Sequence, residues 1–107
     1  LRRRGAPLVA ACALALASAA LAAYPERAVK LIVPWPPGGD TDAVVRPFAA
    51  ELGKHLGGSV VVTNVAGATG TVGAHEAKTA PADGYTLLAV NDAIHAAYYT
   101  GVGDVAP

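Results

Sequence analysis

One cysteine, two serines and three histidines in 107 residues leave little for covalent or metal chemistry. Cys12 sits in an Ala/Leu-rich N-terminal stretch. The tetrad Val9-Ala10-Ala11-Cys12 is faintly similar to a lipoprotein cleavage box, but the apolar run before it is too short and continues past it. Cys12 is therefore read with that stretch, and the remainder of the chain has no thiol for a disulfide or a thiolate. Ser18 and Ser59 occupy no Gly-x-Ser-x-Gly setting, so no nucleophile elbow is expected. His55, His75 and His95 form no helical pair and have no cysteine partner, so neither a metal site nor another cofactor site is expected.

Basic residues are scarce too, once the N-terminus is set aside. Arg2, Arg3 and Arg4 precede an apolar run from Leu8 to Ala17 and the small residues Ala20-Leu21-Ala22. That order predicts an export signal over residues 1–22, cleaved after Ala22, and a periplasmic location. The run is too short and too alanine-rich for a membrane span. The formal charge of zero then resolves into five basic residues against eight acidic ones in 23–107. An acidic region of this kind excludes nucleic-acid binding, which needs a basic face. Any anion site must be local, built from backbone N–H groups or a helix end. The exported part, about 85 residues, is enough for one small core.

What is present is a regular alternation. Ala28 to Val33 reads as a strand covered on both faces. A helix from near Asp42 places Val44, Phe48, Leu52 and Leu56 at steps of four, with Val45 and Ala49 beside them, and leaves Arg46, Glu51 and Lys54 largely outside that stripe. Pro47 should kink this helix or mark a later start, and Gly57-Gly58 should end it. Ser59 to Thr63 is a second strand, Val72 to Thr79 a short helix stopped by Pro81, Asp83-Gly84 a turn, Tyr85 to Val90 a third strand, and Ala93 to Tyr99 a further helix. The order β-α-β-α-β-α predicts an α/β fold, a parallel sheet with helices on both faces. Ligands of such sheets sit at the carboxyl ends of the strands, where loops 34–42, 64–73 and 91–95 fall.

The first of these loops, Pro34-Trp35-Pro36-Pro37-Gly38-Gly39-Asp40-Thr41-Asp42, joins a strand to a helix N-terminus through three prolines and two glycines. Thr41 or Asp40 is expected to cap the helix, and Gly38 and Gly39 let a ligand approach the backbone. A glycine-bearing turn at a helix N-terminus attracts anions. Asp40 and Asp42 read as caps and dipole partners ahead of an acid/base pair. Trp35 is placed to line a cleft, whereas Tyr85 reads as packing. The second loop, Gly67-Ala68-Thr69-Gly70-Thr71-Val72-Gly73, is similar to the fingerprint of extended short-chain dehydrogenases, and Asp92 follows at the distance of an acidic ribose ligand. Against it stand a complete strand–loop–helix unit before the motif, a helix cut short by Pro81, and the export signal. A nicotinamide-dependent oxidoreductase is thus the second reading.

Taken in order, Tyr24-Pro25, then Lys30 through Asp42, then Val60-Val61-Val62-Thr63-Asn64, the glycine loop through Gly73, and Pro81-Ala82-Asp83-Gly84-Tyr85-Thr86-Leu87-Leu88 resemble one family across essentially the whole exported part. It is the Bug/TctC-type extracytoplasmic solute-binding receptors of tripartite tricarboxylate transporters. The resemblance implies a non-enzymatic, monomeric, two-lobed periplasmic-binding-protein-like (Venus flytrap) clamp that closes on a small carboxylate and delivers it to integral-membrane subunits. Residues 23–107 would be part of its first lobe. It further implies that loops 34–42 and 64–73 offer backbone N–H groups to the ligand, through Pro37, Gly38, Gly39, Asp40, Thr41, Asp42, Gly70 and Thr71, with Asn91 to His95 a third ligand-facing loop. The chain departs from the family in having Val65-Ala66 where Arg-Pro is common, and in Pro47. The hinge and second lobe are missing, so the chain is expected to be a fragment of a receptor or a nonfunctional remnant of one.

Overall fold

The computed structural model describes residues 23–106, so the export signal with Cys12 and Ser18 lies outside the described residues. Three parallel strands, β1 (Val29–Val33), β2 (Val60–Asn64) and β3 (Thr86–Leu88), form one sheet in the order β2-β1-β3. β1 is central because its sequence fits no other place. Val29, Leu31, Ile32 and Val33 are all buried, on both faces of the sheet. Leu31 is in register with Val62 on one side and Leu87 on the other. The ladder continues past the strands, with Val65 N–H donating to the Val33 carbonyl and Ala89 N–H to that of Ile32.

Helix α1 (Asp40–Leu56) connects β1 to β2 and α2 (Thr71–Thr79) connects β2 to β3. The chain steps one way from β1 to β2 and back across β1 to β3, so right-handed crossovers require the two helices on opposite faces. Alternation along β1 agrees. Leu31 and Val33 pack with Val45 and Ala49 of α1, while Lys30, pointing the other way, pairs with Glu76 of α2. A last helix, α3 (Ala93–Tyr99), follows β3 and buries Ile94 and Ala97.

The boundaries depart from the sequence expectation in instructive places. β3 is limited to three residues, shorter than the expected Tyr85–Val90. α1 runs through Pro47 without interruption, and its buried residues are Asp42, Val45 and Ala49. Val44 and Phe48, expected in the apolar stripe, are 70% and 57% exposed. Steps of four residues drift about 40° round a 3.6-residue helix, so 44, 48, 52 and 56 cannot all face one sheet. The face that meets it follows 42, 45, 49, 52 and 56. Gly57 ends α1 in the left-handed region (φ 70°), its N–H returning to the Gly53 carbonyl, as the glycine pair predicts.

Tyr85 is a packing residue, as expected. Its hydroxyl accepts the Glu26 N–H at 2.8 Å, and Arg27 lies over its ring while bonding Asp83. Tyr24 donates to the Gly84 carbonyl at 2.6 Å. This clasp ties residues 24–27 to the amino edge of the sheet, opposite the three loops.

Candidate functional site

The loop between β1 and α1 is held by one carboxylate. Asp42, 4% exposed in the first turn of α1, accepts the Gly38 N–H at 2.9 Å and Arg46 Nε at 2.8 Å through Oδ2. Its Oδ1 accepts Asn64 Nδ2 at 2.9 Å. Asn64 Nδ2 also reaches the Trp35 carbonyl at 3.1 Å, and Asn64 Oδ1 accepts Arg46 Nη2 at 2.9 Å. Helix start, loop and the end of β2 are thereby locked in one closed network. The hydrogen bonds from Arg46, then Asn64, then the Gly38 N–H hold the Asp42 carboxyl at about 2, below its usual 3.8.

Neither Asp40 nor Thr41 caps α1, contrary to expectation. The N-cap is Gly39, which makes no side-chain bond, and Asp42 does a related job by reaching back to Gly38. Gly38 needs its glycine identity, since φ is 86°. With no cap, the backbone N–H groups of Asp40, Thr41 and Asp42 find no acceptor among the described residues. The same three residues, with Trp35, Pro36, Gly39 and Asn91, line a cavity of about 300 Å³. Such an end of a helix receives an anion by hydrogen bonding and by its dipole. Thr41 Oγ1 accepts Asn91 Nδ2 at 3.1 Å, and Asn91 Oδ1 accepts the Ala93 N–H, so the loop after β3 is fastened to the same wall.

The other expected positions lie around this cavity without lining it. Pro37 is exposed, one residue outside. Gly70, buried with φ 86°, lies under Trp35: a Cβ there would stand 3.1 Å from the indole Cζ2. Thr71, also buried, donates its hydroxyl to the Ala68 carbonyl at 2.8 Å and lines a separate cavity of about 450 Å³ with His75 and residues 101–104. Gly73 is the close-packing glycine of this loop, where a Cβ would stand 2.7 Å from both Pro34 Cβ and the Val65 carbonyl. The sequence reading passed over Arg46 and Asn64 as members of the site. The i, i+4 spacing of Asp42 and Arg46 was the available signal for one of them; nothing local marks Asn64.

The fingerprint-like loop 67–73 leaves β2, the second strand in the chain and at the edge of the sheet among the described residues. In a dinucleotide fold that loop leaves the first, interior strand. Here the interior strand is β1, and it feeds the Pro/Gly loop.

Residues 44–102 match the model of the tripartite tricarboxylate transporter family receptor. Protein BugT of Bordetella pertussis is 45% identical over 87 residues, which are 76% of this chain and 27% of that protein. A protein of R. palustris solved with adipate is 42% identical, with a TM-score of 0.65 over 67% of this chain and 24% of that one. A TctC solute binding protein from Polaromonas, solved without ligand, reaches a TM-score of 0.72 at 33% identity, over 77% of this chain and 28% of its own. The chain thus spans about a quarter of the length of the relatives it matches. The resemblance read from the ordered sequence blocks is met by the family match, by these identities and by a shared parallel α/β fold. The chain belongs to the tripartite tricarboxylate transporter receptor family.

Proposed function

We propose that this chain supplies part of the first lobe of a periplasmic receptor that captures a small carboxylate for membrane transport. Residues 1–22 are the export signal and 23–107 the exported part. The observation that carries the reading is the uncapped start of α1, where three N–H groups without an acceptor among the described residues belong to residues lining a cavity at the carboxyl edge of the sheet. The relative solved with adipate supports a carboxylate as the ligand class. Gly39, Asp40, Thr41 and Asp42 offer the first contacts, mainly through backbone. Gly38 and Asp42 hold that backbone in place, Pro37 stiffens the approach, Gly70 underlies Trp35, and Thr71 fastens the same loop through the Ala68 carbonyl. A second lobe closing about a hinge completes the site and presents the loaded, monomeric receptor to integral-membrane subunits. The protein changes no bond in its ligand and needs no cofactor.

Gly39→Val tests this. Gly39 has φ −78°, which any residue adopts, and a Cβ there would stand 3.7 Å from its nearest neighbour, the Pro36 carbonyl oxygen. The variant should therefore fold while placing two methyls over the N–H groups. In the full-length receptor, calorimetry against a panel of C3 to C6 carboxylates should show binding weakened by roughly two orders of magnitude with melting unchanged. Undiminished affinity would sink the backbone cradle.

A further inference from the structure

Asn64 lies outside the lining of the cavity of about 300 Å³, yet its side-chain amide bonds two of the residues that line it. Nδ2 donates to Asp42 Oδ1 at 2.9 Å and to the Trp35 carbonyl at 3.1 Å, while Oδ1 accepts Arg46 Nη2 at 2.9 Å. Two acceptors on one side and a donor on the other admit a single orientation of the amide. An ionised carboxylate of the same shape would set its oxygens against Asp42 and the Trp35 carbonyl. An aliphatic side chain would leave all three groups short of this partner.

The amide thereby holds the Pro/Gly loop at two points. It holds the Trp35 carbonyl directly, and it holds the Gly38 N–H through Asp42, whose other oxygen accepts that group. Pro36 and Pro37 lie between, and their fixed φ leaves the segment little freedom once both ends are tied. The post itself is rigid. Asn64 is the last residue of β2, in register with Val33 of the central strand, and the next N–H, that of Val65, bonds the Val33 carbonyl. Asp42 and Arg46 belong to one helix and Gly38 to its approach, so among these groups it is Asn64 that ties the frame to the sheet. Trp35 in turn lies over Gly70, which extends the hold to loop 64–73.

Resting on the carboxylate-receptor reading above, we propose that Asn64 is a positioning residue of the binding site: without touching the ligand, it fixes where residues 35–38 stand against the start of α1, and so couples the end of β2 to ligand affinity. A support of this kind acts by preorganisation. When it is removed, the loop samples other positions and ordering it falls to the ligand.

The test is calorimetry on the full-length receptor with malonate, succinate, glutarate and adipate, beside melting curves. Asn64→Ala should weaken binding of whichever of the four the unaltered receptor holds tightest, by about tenfold or more. Val60→Ala, at the opposite end of the same strand and packed against the core, should lower melting with affinity unchanged. Asn64→Asp adds a signature that lost stability cannot produce. The charged groups bonded to position 64 are Asp42 and Arg46 of α1; the first raises the pKa of the new carboxyl and the second lowers it. At pH 7.5 the two carboxylates repel, and binding should fall at least as far as in Asn64→Ala. Toward pH 4.5 the pair takes up one proton and shares it, which restores a hydrogen bond between them. Measured against the unaltered receptor at the same pH, affinity should then recover several-fold, while the Asn64→Ala deficit stays constant. Full affinity in folded Asn64→Ala would overturn the proposal and leave the carboxylate reading standing. So would an equal loss of affinity in Val60→Ala, or an Asn64→Asp deficit indifferent to pH, which also decides the matter if Asn64→Ala does not fold. If none of the four diacids binds the unaltered receptor, the carboxylate reading falls and takes this one with it.

Discussion

Asp42 shows how much one side chain can decide. Its carboxylate holds three donors from three segments, and only the ionised form can accept them all. Because its folded pKa is depressed to about 2 from 3.8, its contribution to stability is complete above the ordinary carboxylate range and is lost as pH falls from about 4 through about 2. Melting followed from pH 6 down to pH 2 should therefore steepen in its decline below pH 4. Asp42→Asn should melt lower at pH 6 and lose most of that extra steepness, because the amide has no charge to titrate and its NH2 must face donors, either Asn64 or the pair Gly38 and Arg46. An unchanged acid limb in the variant would assign the acid sensitivity to other carboxylates. The sequence showed Asp42 as an acidic residue near a helix start. It could not show that Asn64, twenty-two positions on, would close the network.

Among the elements, α1 carries the clearest lesson. Its existence and its glycine stop were legible, because both follow from local backbone preference and periodicity. Which of its apolar residues are buried was not, since that depends on where the cylinder touches the sheet. Val44 and Val45 are equally apolar neighbours, yet one is 70% exposed and the other 8%. Pro47 is tolerated because it and Ala43, whose carbonyl loses its partner, are both exposed, so water can satisfy the orphaned acceptor. Pro47→Ala restores that bond on a solvent-facing site and removes the ring. Chemical denaturation should show a gain of about 1–3 kcal/mol, up to the propensity difference between the two residues. A loss would mean that the ring packs where it is now read as exposed.

At the scale of the molecule, the parallel sheet with helices on both faces follows from the order of elements and the limits on crossover handedness. Its consequence is an unequal distribution of protection. β1 bonds to neighbours on both sides, while β2 and β3 each have one free edge among the described residues. Hydrogen exchange of the 107-residue chain should therefore be slowest at 29–33, with every second amide of β2 and β3 exchanging much faster. Uniform protection across all three strands would show that the outer edges are covered. The same topology collects the three functional loops at one edge and puts the Tyr24–Tyr85 clasp at the other.

The sequence by itself determined the alternation of strands and helices, the Pro/Gly loop entering a helix, the acidic balance after the basic N-terminus, and the blocks by which the family is recognisable. All of these rest on residues near one another in the chain, where backbone propensity and spacing act directly. Only the tertiary structure decided that β1 lies at the centre, that Asp42 is spent on the frame while Asp40 stays free, and that Thr41 and Asn91, fifty positions apart, share one wall. Those outcomes depend on which groups the packed sheet brings within hydrogen-bonding distance and which it leaves in water, and no local pattern encodes them.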